Sequence, residues 1–220
     1  MDQKNQGFSL VELLVVMAIL GTLAGLAVVG IPRILRASHS KSVAVVIQQL
    51  AVTLEAYSRR PANGDYPPTL LTEDALPGVG VLSNEENCGI ESVLVCINRV
   101  GQSAGFEVEE IPWKDALTNW DDDRTAQTVT SSFGPTNREL YELCDRWGTP
   151  FAYFHHRDYD QVEVRGLGKI SDPNGDGTIR CQPWKNPKTG HWYLPRGFQL
   201  ISAGPDTQFN TEDDITNFER

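Results

Sequence analysis

The stretch from Phe8 to Ile31 contains no Lys, Arg, Asp or His, and its single charge is Glu12, near the start of the run. At about 1.5 Å per residue, a helix over this stretch is long enough to cross a hydrocarbon core of about 30 Å. A carboxylate inside such a span costs about 2.5–3.5 kcal/mol on insertion scales, so Glu12 requires a partner, a proton or a place at the interface. A cleaved secretory signal fits poorly. The leader Met-Asp-Gln-Lys-Asn-Gln has no basic n-region, and no small-residue cleavage site closes a short apolar segment.

Beyond the run, Pro32 removes one backbone donor, but Val43, Ile47, Leu50, Leu54 and Tyr57 recur at steps of three and four. That spacing predicts that the helix continues as an amphipathic half over 32–60. Arg59-Arg60-Pro61-Ala62-Asn63-Gly64 places cations at the helix C-terminus and then breakers, which ends it near Arg60. From Leu71 to Thr136 the pattern is irregular and rich in Gly, Asn, Asp and Glu, and it reads as a long loop with minor elements. Trp147, Phe151 and Tyr153 then alternate as a core strand does, as do Val162-Glu-Val164-Arg and Phe198-Gln-Leu200-Ile-Ser202. The expected class is α+β: a long N-terminal helical spine against a small C-terminal antiparallel sheet of at least three strands, with long loops.

Gly7, Phe8, Ser9, Leu10 and Glu12, ahead of Leu-Leu-Val-Val-Met-Ala-Ile-Leu, resemble the class III leader of type IV pilins and type II secretion pseudopilins. The resemblance implies cleavage between Gly7 and Phe8 by a prepilin peptidase, N-methylation of Phe8, and attraction between Glu12 and the amine of a neighbouring subunit during assembly. It supplies the partner that the desolvation cost of Glu12 demands. It also implies the pilin fold, divided into a leader at 1–7, a transmembrane or filament-core helix at 8–31, an amphipathic half at 32–60, a variable insert at 61–140, and a sheet with a C-terminal calcium-type loop at 141–220. The resemblance resumes at Asp145-Arg-Trp147-Gly148-Thr-Pro150, similar to the segment that leads into the pseudopilin sheet, and in the acidic tail, and points most to the major pseudopilin. The implied setting is the bacterial inner membrane, single pass, with the C-terminal domain in the periplasm. The implied partners are other copies through their N-terminal helices, the inner-membrane assembly platform and minor pseudopilins. Arg33, Arg36 and Lys41 follow the run, so flanking charge alone favours the opposite orientation.

The tail Asp206-Thr-Gln-Phe-Asn-Thr-Glu-Asp213-Asp214 resembles the calcium-binding loop of major pseudopilins, which makes Asp206, Asp213 and Asp214 the expected carboxylate ligands of a structural calcium. A solvated acidic turn is the alternative. Asp172, Asn174 and Asp176 have the spacing of the first half of an EF-hand loop, without its closing Glu, and fit a strand-connecting turn as well. Cys88, Cys96, Cys144 and Cys181 allow three pairings, of which Cys88 with Cys96 and Cys144 with Cys181 are favoured in an oxidising compartment over four free buried thiols.

A net charge of −10 and a pI near 4.8 argue against a nucleic-acid partner. No nucleophile elbow or phosphate loop suggests an enzyme, and His155 and His156, adjacent on an expected strand, point to opposite faces and cannot chelate together there. The sequence reading is therefore a structural subunit of a type II secretion pseudopilus. The alternatives are a type IV pilin or minor pseudopilin serving adhesion, motility or DNA uptake, and a membrane-anchored binding module that does not polymerise.

Overall fold

The structure, a computed structural model, describes residues 10–61, 63–72, 85–99, 106–129, 137–175 and 177–220. The chain divides into two compact units, Met1–His39 and Ser40–Arg220. Helix α1, Leu10–Ser58, is continuous in backbone assignment through Pro32 and ends within two residues of the expected Arg60. In the first unit the described side chains from Leu10 to Leu26 are exposed on every side of the helix, Leu10 at 79% and Leu26 at 72%.

In the second unit Val43, Val46, Ile47, Leu50 and Leu54 are all buried, as the three-and-four spacing requires. They join a core completed by helix α2 (Cys88–Arg99), through Ile90, Val93, Leu94 and Ile97, and by Leu143, Phe151, Tyr153, Phe198 and Leu200. Helix α2 corrects the expectation of a long loop after Leu71. Its apolar residues fall at i, i+3, i+4 and i+7, and the Asn87 carbonyl accepts the N–H groups of Ile90 and Glu91 to start it.

Among the described residues, seven short strands and the central pair complete the architecture. Strands β1 (Leu117–Thr118) and β4 (Glu142–Leu143) pair, as do β2 (Arg124–Val129) and β3 (Asn137–Glu139). Strand β5 (Ala152–His155) pairs antiparallel with β8 (Phe198–Ser202), with Tyr153 opposite Leu200, and β8 pairs in turn with β9 (Ile215–Thr216). Strands β6 (Lys169–Ser171) and β7 (Thr178–Arg180) form a hairpin. The expected sheet alternates between core and solvent, but here both faces are covered. Tyr153 and Leu200 face α1 and α2, while Ala152, Phe154 and Ile201 enter a second core with Tyr159, Val162, Leu167, Ile170 and Cys181. The excursion between β5 and β8 supplies that second layer.

Val162–Arg165 is a helical turn, α3, and not the expected strand. Four residues of alternation carry little information. Gly166, at φ +69°, closes the turn, and its N–H bonds back to Val162 and Glu163. Glycine is needed at one close approach in particular: a Cβ on Gly89 would lie 2.1 Å from the Tyr153 carbonyl oxygen, so α2 packs this closely on β5 because no side chain intervenes there.

The Asp-Arg-Trp-Gly-Thr-Pro segment is a turn built on one carboxylate. Asp145 Oδ1 accepts the N–H groups of Trp147 and Thr149 at 2.9 and 3.1 Å, and Oδ2 accepts the Ser202 hydroxyl at 2.6 Å. Burial pushes the Asp145 carboxyl up to about 6, held back by those hydrogen bonds. The turn is thereby tied to β8.

Candidate functional site

The first candidate surface is the start of α1. Glu12 lies in its first turn, where the positive end of the helix dipole favours a carboxylate. Around it the helix is apolar and exposed, with Val11 at 69%, Leu14 at 63% and Met17 at 65%. A helix apolar on all sides is a surface for lipid or other helices, since water solvates it poorly. Among the described residues, no helix is long and apolar enough to cross a membrane. The described apolar side chains from Leu10 to Leu26 extend over about 25 Å. Gly7 and Phe8 lie outside the described residues.

The acidic tail is the second. Its three expected ligands do not converge. Asp214 Oδ2 accepts the Trp184 indole N–H and the Asn210 N–H, both at 2.9 Å. Asp206 Oδ1 accepts the Gln208 N–H at 2.8 Å, and Asp213 takes the Asp206 N–H at 3.2 Å and the Thr211 hydroxyl at 2.5 Å. The three carboxylates do not meet at one point in this arrangement, and each accepts at least one donor from the loop itself. Thr207 and Asn210 adopt left-handed φ of 59° and 65°. The Arg220 guanidinium lies over the Trp184 ring at 4.6 Å and donates to the carbonyls of Thr211, Glu212 and Asp214 at 2.7, 2.8 and 2.8 Å. Arg220 was not legible as a site residue in the sequence.

At the weaker candidate, Asp172 Oδ1 accepts the Asn174 N–H at 2.8 Å and the Asp172 N–H donates to the Gly177 carbonyl, so the segment serves as the β6–β7 turn. Asn174 donates to the Thr207 hydroxyl, and Asp176 lies outside the described residues.

Two clusters went unread in the sequence. Carboxylate oxygens of Glu91, Asp121 and Glu142 lie within 4.8 Å of one another. Glu142, fully buried, accepts the Asn87 amide and the Trp120 N–H at 3.1 and 3.0 Å. Burial, and then the Asp121 charge, push both Glu142 and the neighbouring Asp123 up to about 8. Their distance in sequence, with α2 taken for loop, hid the cluster.

The other joins Asp65, His155 and His156, also within 4.8 Å. The expectation that the two histidines diverge is corrected: β5 stops at His155, the chain turns at His156, and the rings lie 4.4 Å apart. Three of their four ring nitrogens face partners. His155 Nδ1 accepts the Arg157 N–H, its Nε2–H faces Asp65 Oδ1 at 3.2 Å, and His156 Nδ1 faces the Gly197 carbonyl at 3.1 Å. The Arg157 guanidinium pairs with Asp65. The cluster is a latch between the segment after α1 and the end of β5.

All four cysteines are buried, and none is in a disulfide. Cys88 and Cys96 stand on one helix, about 12 Å apart along its axis, beyond the reach of a disulfide. Cys144 sits against the Thr118 hydroxyl at 3.1 Å, and Cys181 belongs to the second core. The favoured pairings are therefore not formed.

An N-terminal helix that is apolar on all sides in its first part and core-facing in its second, followed by small antiparallel sheets, is an α+β arrangement consistent with the pilin fold. Residues 2–28 match the family model of the prokaryotic N-terminal methylation motif, the signature of type IV pilin-like proteins. The motif implies processing by a prepilin peptidase and pilus-like assembly, and Gly7, Phe8 and Glu12 all fall inside it. No curated protein and no solved structure matches the chain.

Proposed function

We propose that this chain is the major pseudopilin-like subunit of a type II secretion pseudopilus: a structural protein without catalytic activity, anchored in the inner membrane and polymerised in the periplasm. Removal of the leader frees the Phe8 amine, and Glu12 of an adjoining copy pairs with it as the apolar helices pack side by side. The reading is carried by the match of residues 2–28 together with the exposed, apolar first part of α1 bearing Glu12. The Trp-Gly-x-Pro turn and the acidic tail favour the secretion subunit over a type IV pilin, although all such subunits share the N-terminal motif.

Two measurements on protein from cells test this. Intact mass is expected to show loss of residues 1–7 and one methyl group. Cross-linking is expected to give a ladder of multimers that Glu12→Leu abolishes. A chain that still begins at Met1, or a ladder unchanged by the substitution, refutes the proposal.

A further inference from the structure

The acidic tail crowds Asp206, Glu212, Asp213 and Asp214 into one loop, and like charges in a short loop repel unless a cation compensates them. The loop also turns three backbone carbonyls, those of Thr211, Glu212 and Asp214, toward a single point. Converging carbonyls beside carboxylates form the oxygen environment that a hard cation takes. In this protein that point holds the Arg220 guanidinium, with contacts of 2.7–2.8 Å, the range of charge-assisted hydrogen bonds.

We propose that Arg220 is the built-in cation of this loop, and that it closes the tail onto the second core without calcium. Its planar fork satisfies all three carbonyls at once, which a lysine ammonium on its flexible stem matches poorly. Trp184 fixes the fork in place: its ring lies under the guanidinium, while its indole N–H holds Asp214 Oδ2 at 2.9 Å. Trp184 is in turn held by Gln199 of β8, whose Oε1 accepts the Trp184 N–H and whose amide donates to the Trp184 and Tyr193 carbonyls. The loop, the cation and the central sheet thus form one connected network. Asp206 and Asp213 each accept donors from within the loop, which offsets part of their mutual repulsion.

The test uses the full chain in detergent, with thermal unfolding and limited proteolysis measured in EGTA and in millimolar CaCl2. For the native protein, calcium is expected to move the melting temperature by less than about 1 °C. In EGTA, Arg220→Ala is expected to melt roughly 3–8 °C lower, with cleavage between Thr207 and Glu212 accelerated, and Arg220→Lys to fall between the two. Calcium is then expected to restore the alanine variant, since removing the guanidinium frees the carbonyls for a metal. A native protein that calcium stabilises overturns the proposal, as does an alanine variant as stable as the native chain. A destabilised variant that calcium leaves unchanged also overturns it, because Arg220 would then act by packing and not as a cation. None of these outcomes depends on the filament reading.

Discussion

Replacing Asp121 by Asn is expected to change how the stability of the Ser40–Arg220 unit depends on pH. Glu142 and Asp123 are pushed up to about 8, first by burial and then by the charge of Asp121. A carboxyl whose pKa is raised in the folded state contributes stability that is full below its unfolded value, about 4, and is lost as pH climbs toward 8. The folded protein keeps protons there that the unfolded chain releases, and each one gives a slope of about 1.4 kcal/mol per pH unit. With a single retained proton, the loss from pH 5 to pH 7 is about 3 kcal/mol. His155 works in the opposite sense: burial lowers its pKa, so protonating it costs stability as pH falls below its unfolded value of about 6.5. The informative quantity is therefore the difference between variant and native profiles. Asp121→Asn removes the neighbouring charge and supplies an amide donor toward Glu142, so the variant gains on the native chain as pH rises. The expected advantage is on the order of 1–3 kcal/mol at pH 8 and close to zero at pH 4. Urea unfolding followed by tryptophan fluorescence at pH 4–8 measures it. Parallel profiles, or an advantage that grows toward acid pH, would refute the reasoning.

Further outcomes follow from individual contacts. Gly89→Ala is expected to cost more than about 2 kcal/mol in chemical denaturation, because a Cβ has no room at the Tyr153 carbonyl. Asp145→Ala leaves the Trp147 and Thr149 N–H groups and the Ser202 hydroxyl without their acceptor and is expected to cost about 2–4 kcal/mol in the same assay. The four thiols are expected to react with an alkylating reagent in denaturant without prior reduction, as read by mass. In the native protein they react slowly, since burial raises the Cys144 thiol to about 12 and Cys88 and Cys181 likewise upward.

The sequence made the spine legible because its signals are long: an apolar run with one acid, followed by a stripe at helical spacing that the core uses from Val43 to Leu54. Strands β5 and β8 were legible from alternating apolar residues, but their surroundings were not. Whether a strand faces water is decided by what the intervening chain does, and here residues 156–197 fold back over the sheet. Helix α2 was missed although Ile90, Val93, Leu94 and Ile97 carry the period, because glycine-rich and acidic flanks on both sides masked a short element. The same miss displaced the cysteines, since two thiols on one helix cannot meet. In the tail, counting acids identified the loop but not its counterion, which is a single arginine beyond the motif.

Because β5 and β8 are buried on both faces, the sheet acts as a partition between two compartments drawn from different parts of the chain: one built on the spine, the other on the excursion. Residues on opposite sides of that wall alternate along a strand, so remodelling the outer compartment through Phe154 or Ile201 leaves Tyr153 and Leu200 in place against the helices. The exterior presented by such a subunit is thereby free to diversify while the scaffold that bears the helix stays unchanged.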